Sequence, residues 1–218
     1  MRAILDGGLD LDPGVTVLVD ENGSGKSTVV EPIAAAWARR VTAFRSDIVQ
    51  QVVGSPAAED SDLHRALQLH YTLGGANGGL FLRAERLHEQ ADVLTAPNST
   101  WQRRLGPGSI LARSHGEGFL HVLGGMTGEA GLYVMDEPES ALSFTSALTL
   151  VQIICDMRAA GSQIALATHS PILAAIPAAR LLELSADGIR EVGYDDSDLV
   201  ASWRAFLAAP DRFLRYLG

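Results

Sequence analysis

Short, wholly apolar runs alternate along this chain with glycine-rich breaks and with longer stretches of mixed character. Residues 2–5, 9–11 and 15–19 read as three strands divided by the turns DGG and DPG. The third runs straight into DENGSGKST (20–28), and the alanine-rich segment 26–40 is predicted to be a helix that carries Pro32 as a cost to its regularity. SDIVQQVV and DLHRALQLHYTL read as helices, GSPAAEDSD, GGANGG and TAPNSTWQRRLGPG as loops, and residues 79–85 as a strand leading into the helix RLHEQADVL.

From residue 132 onward the rhythm becomes regular. LYVM is the run expected of a strand buried on both faces, residues 143–160 form a helix, and QIALAT (163–168) forms a second buried strand. Residues 180–184 and 189–192 flank the turn ADG as a hairpin. The last stretch aligns Leu199, Trp203, Phe206 and Leu207 on one helical face, expected to pack on the core, with a second short helix after Pro210. The whole reads as one domain, 1–218, with 41–121 as an inserted helical and irregular lobe.

Composition sharpens this picture in three ways. No run of 18 apolar residues occurs, and the start lacks a basic, then apolar, leader, so the expectation is a cytoplasmic protein without membrane insertion. The net charge of −9 disfavours a broad nucleic-acid-coating surface, and the single cysteine, Cys155 in LVQIICDM, is expected to be a buried, inert thiol. The basic residues are the most informative: of 17 Lys plus Arg, every one but Lys26 is arginine. That lone lysine falls where a slender point charge is needed to reach nucleotide phosphates.

Strand, glycine loop, helix is the context of a phosphate-binding loop. In Asn22, Gly23, Ser24, Gly25, Lys26, Ser27 and Thr28, the glycines let backbone N–H groups approach phosphate oxygens, the following helix points its positive end at them, and the Ser27 hydroxyl is suited to Mg²⁺. Asp136 and Glu137 end the buried LYVM strand, where adjacent acids are costly without a task. Asp136 is suited to holding Mg²⁺ and Glu137 to polarising an attacking water, while Glu139 is suited to capping the next helix. His169 ends the QIALAT strand, at the edge of an α/β sheet where ligands bind. SHGEG (114–118) precedes a helix-like run and offers a second anion-binding surface.

The set NGSGKST, SHGEG, LYVMDEPESALS and ATHSPIL resembles the ABC-class P-loop ATPases, and within them compact ABC-like or AAA-family ATPases related to RecF and SMC proteins. The resemblance covers nearly the whole chain. It implies an α/β fold, a P-loop NTPase of ABC type with a mixed central sheet flanked by helices and an inserted helical lobe. It also implies ATP and Mg²⁺ as cofactors, with Lys26 and Ser27 on phosphate and metal, Asp136 as the Walker B acid, Glu137 as catalytic base and His169 as the switch histidine. Ser114, Gly116 and Glu117 resemble a signature motif, and Ser140, Ala141 and Leu142 a D-loop. Glu85 stands where the class has its metal-side Q-loop glutamine.

In this class the signature of one subunit completes the site of the other, so the resemblance implies a homodimer around ATP, driving or timing the action of an unknown protein partner. Nucleic acid enters as a partner by kinship alone. A nucleotide-sensing module with vestigial hydrolysis and an ATPase subunit of a transporter or DNA-processing complex are the alternative readings. Lys26 and Asp136 are 110 positions apart, too few for long coiled-coil arms.

Two features depart from the family pattern. Asp20 replaces the first P-loop glycine, and no aromatic residue precedes Trp37 to stack on adenine. The family carries further sequence before RAILDGGLDL, so the resemblance implies a late start. A carboxylate roughly 5 Å from a phosphate, at an effective dielectric near 20, opposes binding by about 3 kcal/mol before screening. Weakened MgATP binding is therefore the expectation.

Overall fold

The computed structural model describes residues 8–11, 13–20, 26–44, 67–70, 79–83, 115–128, 130–185 and 188–215. Six strands form one sheet: β1 (Val15–Asp20), β2 (Gly79–Arg83), β3 (Leu132–Asp136), β4 (Gln163–Thr168), β5 (Arg180–Ser185) and β6 (Gly188–Glu191). Their order is β2-β3-β4-β1-β5-β6. All neighbours run parallel except β6, which returns antiparallel on β5, so the sheet is mixed.

The helices are α1 (Lys26–Phe44), α2 (His115–Gly124), α3 (Phe144–Ala159), α4 (Pro171–Ala174), α5 (Asp198–Ala208) and α6 (Pro210–Leu214). They cover both faces of the sheet, which is why the central strands are apolar throughout rather than alternating. On one face Leu18, Phe81, Val134 and Ala167 meet Val29, Val30, Ile33 and Trp37 of α1. On the other, Val17, Val19, Met135 and Leu166 meet Phe119 of α2, Leu150, Ile154 and Met157 of α3, and Leu173 of α4. The two lists alternate along β1 and β3, as the two-residue period of a strand requires. A helix wound through Pro32 loses one backbone hydrogen bond, and α1 nevertheless continues to Phe44 because this face of the sheet buries it.

Local signals place the helix starts on the other face. Ser143 caps α3, its Oγ accepting from Ser146 N at 3.2 Å, and the buried Ala147, Leu150, Ile154 and Met157 follow at helical spacing. Ser170 caps α4 in the same way, accepting from Ile172 N at 3.2 Å, with Pro171 at the first helical position.

Several expectations are corrected. Residues 9–11 are not a strand: the backbone there is irregular, its carbonyls used instead by Gln163 Nε2 and Arg180 Nη1, which donate to Leu11 O and Asp10 O. Residues 67–70 carry no helix. Of the segment 41–121, residues 79–83 belong to the central sheet as β2; the predicted strand 2–5 and the predicted helices SDIVQQVV and RLHEQADVL lie outside the described residues. Cys155 is half-buried against the core rather than fully enclosed.

The C-terminal helices do form, yet their apolar face does not pack as expected. Leu199 and Val200 are buried, whereas Trp203 and Leu207 are 44% and 68% exposed. The anchor is polar instead: the buried Glu183 of β5 accepts from Ser197 Oγ at 2.9 Å and from Asp198 N at 2.8 Å, which fixes only the first turn of α5. Phe206 and Phe213 then meet edge to face at 5.8 Å, joining α5 to α6. Among the described residues no helix is long and apolar enough to cross a membrane.

Candidate functional site

The parallel strands end on one edge of the sheet, and Asp20, Asp136 and Thr168 are the last residues of β1, β3 and β4. β1 lies between β4 and β5, so chain connections leave it on both sides and open a crevice at its carboxyl end. Ser27, Arg83, Asp136, Glu137 and Ser140 line an open cleft of about 170 Å³ at this edge.

Two of the three residues predicted on the Mg²⁺ side, Ser27 and Asp136, converge there. Ser27, in the first turn of α1, donates through Oγ to Asp136 Oδ1 at 3.0 Å, although 109 positions separate them. A buried carboxylate beside a hydroxyl at the mouth of an open cleft is a hard, all-oxygen donor pair. It fits a Mg²⁺ ion that keeps most of its ligands as water and phosphate oxygens. The described residues hold no group of three acidic, histidine or cysteine side chains of the kind that would cage a metal by themselves.

Glu137 follows with φ 45°, a left-handed conformation that costs a non-glycine residue roughly 1–2 kcal/mol. Its N–H donates to Ala167 O at 2.9 Å, which pins the backbone to β4 while the carboxylate remains 40% exposed. The imidazole of His169 spans two acids, with Nε2 3.2 Å from Glu137 Oε1 and Nδ1 3.7 Å from Asp20 Oδ1. The Asp20 side chain is thus turned into the protein beside β4, almost wholly buried. Its carboxylate lies against the imidazole.

Glu139 does not cap the following helix, a task taken by Ser143. Its Oε1 instead accepts from Thr168 Oγ1 at 2.5 Å and from His169 N at 2.8 Å, so the loop after β3 clamps the end of β4. The competition is settled by burial: Thr168 is fully enclosed, and its hydroxyl needs a partner more than a solvent-facing helix end does.

Gly116, at the start of α2, is buried against Ala141 and Leu142. A Cβ there would come 2.7 Å from Ala141 O and 3.0 Å from Leu142 Cδ2. The SHGEG and ESALS segments therefore touch within one chain, and Glu117 on the next position is exposed. Lys26 opens α1. Asn22, Gly23, Ser24, Gly25, Ser114 and Glu85 lie outside the described residues, and Thr28 is described only as part of α1.

The sequence reading missed Arg83. It is the last residue of β2 and stands in register beside Asp136, donating to Oδ2 from Nε at 3.0 Å and from Nη2 at 2.8 Å. Nη2 also pairs with Glu31 of α1. An arginine that ends a strand of glycine and apolar residues was the available signal.

No protein-family model matches the chain. Ribose import ATP-binding protein RbsA of Roseobacter denitrificans is 28% identical over 182 residues, 74% of this chain and 34% of that protein. An import ATP-binding protein of Rhizobium etli, named for ribose, galactose and methyl galactoside, is 29% identical over 178 residues, 71% of this chain and 33% of its own length. The chain thus spans about a third of the length of the curated relatives it matches. Among solved structures, the SMC head domain from Thermotoga maritima aligns over 85% of this chain and 92% of that one, at 16% identity and a TM-score of 0.49. The ordered motifs and the convergence of Ser27 with Asp136 agree with these matches, in which the chain is similar to ABC-class ATP-binding proteins.

Proposed function

We propose that the chain binds MgATP at the crevice between β1, β3 and β4 and hydrolyses it, as a cytoplasmic homodimer whose cycle drives or times a protein partner. The observation that supports this best is the meeting of Ser27 with Asp136 directly beside Glu137 and His169. Ser27 and Asp136 would hold Mg²⁺, which when bound neutralises phosphate charge and polarises the terminal phosphoryl group. Glu137 takes the proton of the attacking water, its carboxylate being the more exposed of the two acids that line the cleft. His169 Nε2, 3.2 Å away, holds one Glu137 oxygen and leaves the other to the water.

The homodimer rests on family logic and on SHGEG as a second anion site. Glu137→Gln removes the base without changing shape. It is expected to bind ATP normally, to lose turnover by at least about a hundredfold, and to sediment as an ATP-dependent dimer. Unchanged phosphate release in this variant would refute Glu137 as the base, and a strictly monomeric ATP-bound protein would refute the interface. The names of these relatives favour a second reading, the ATP-binding subunit of a sugar importer. Co-purification with a membrane-embedded partner would favour that reading.

A further inference from the structure

Asp136 already carries a cation. Arg83 and Asp136 occupy neighbouring register positions on parallel strands, so their side chains emerge on the same face and the pairing is imposed by the sheet. Both donors of the guanidinium edge converge on Oδ2, while Oδ1 takes the Ser27 hydroxyl. Glu31 lies four residues after Ser27, one turn along the same face of α1, and pairs with the same Nη2. Two carboxylates, 4% and 18% exposed, therefore share one arginine at the wall of the nucleotide cleft.

A divalent ion held by Asp136 and Ser27 and a guanidinium fixed on the same carboxylate compete for one charge. Glu31 provides a second seat on which the arginine can remain once it gives up Asp136. We propose that Arg83 is a resident counter-ion of Asp136 in the nucleotide-free protein, and that its transfer to Glu31 alone sets how much Mg²⁺ the site requires. This inference rests on the MgATP reading above. Arg83 and Glu31 act here as positioning residues: neither touches the reacting atoms, and each works by controlling access to Asp136.

The test is equilibrium binding of a fluorescent ATP analogue, with and without a Mg²⁺ titration, for wild type, Arg83→Gln, Glu31→Gln and the double variant. Arg83→Gln frees Asp136 and lowers the half-saturating Mg²⁺ concentration by about tenfold. Glu31→Gln leaves the arginine dependent on Asp136 and raises that concentration by about tenfold. The double variant behaves as Arg83→Gln alone, because Glu31 acts only through Arg83. If the effect of Glu31→Gln persists in the double variant, Glu31 attracts Mg²⁺ directly and the transfer is wrong. Should Arg83→Gln fail to fold, Arg83→Lys, which keeps the charge and loses the fork, serves in its place and is expected to lower the half-saturating Mg²⁺ concentration by less than about tenfold. Nucleotide binding with the same Mg²⁺ dependence in every variant overturns the inference alone; a wild type that binds no nucleotide at any Mg²⁺ concentration overturns the nucleotide-site reading and the inference with it.

Discussion

Removing the Glu139 clamp measures how firmly the end of β4 is held. Glu139→Ala deletes two charge-assisted hydrogen bonds, from Thr168 Oγ1 at 2.5 Å and from His169 N at 2.8 Å. Hydrogen bonds to charged groups each contribute about 1.5–3 kcal/mol. Part of the loss is offset, because Glu139 Oε2 is buried without a partner among the described residues and its desolvation is relieved. The Thr168 hydroxyl also accepts from Ser170 N at 2.9 Å and so keeps one partner. The expected net cost is about 3 kcal/mol, or a fall in melting temperature of roughly 6–12 °C for a chain of this size.

Glu139→Gln retains an acceptor and loses only the charge, so it is expected to cost about 1 kcal/mol. Urea denaturation of the two variants measures both values, and ATP turnover should fall with the alanine variant because the backbone that presents His169 is released. A Glu139→Ala protein within 0.5 kcal/mol of wild type, or a glutamine variant as damaged as the alanine one, would refute the clamp.

Two further outcomes follow from the same geometry. Asp20→Gly restores a P-loop glycine, yet ATP affinity should rise by less than about tenfold, because the carboxylate already lies against His169 and not in the open cleft; titration with labelled ATP checks this, and a gain beyond about a hundredfold would show that it faces the phosphates. Gly116→Ala forces a methyl to within 2.7 Å of Ala141 O and should cost about 1–3 kcal/mol in thermal unfolding, with a neutral result contradicting the close contact of α2 with ESALS.

What could be read in the sequence was what depends on local pattern. The all-apolar runs of β1, β3 and β4 announce strands buried on both faces, the stretch 143–160 announces a helix, and ADG announces the β5–β6 turn. Ser27 was legible from the strand, glycine loop, helix pattern, and Asp136, Glu137 and His169 because acids and a histidine at the ends of buried strands are costly unless used. Partnerships set by strand register were not legible. Arg83 meets Asp136 only because β2 and β3 align those two positions, and nothing within 53 residues of chain signals it. Glu139 stands at a plausible capping position, and only the enclosed hydroxyl of Thr168 draws it elsewhere. The C-terminal face was misjudged for a related reason: its periodicity is that of a packed helix, while the buried Glu183 fixes one end and leaves Trp203 and Leu207 exposed.

As proposed above, the crevice binds ATP, and Lys26, the one lysine in the chain, supplies the positive charge that its phosphates need. Equilibrium binding of labelled ATP in Mg²⁺, comparing wild type with Lys26→Ala, tests it most directly. One nucleotide per chain is expected for wild type, with an affinity about tenfold to a hundredfold weaker in the variant. Equal affinity in the two proteins, or no binding by wild type, would contradict it.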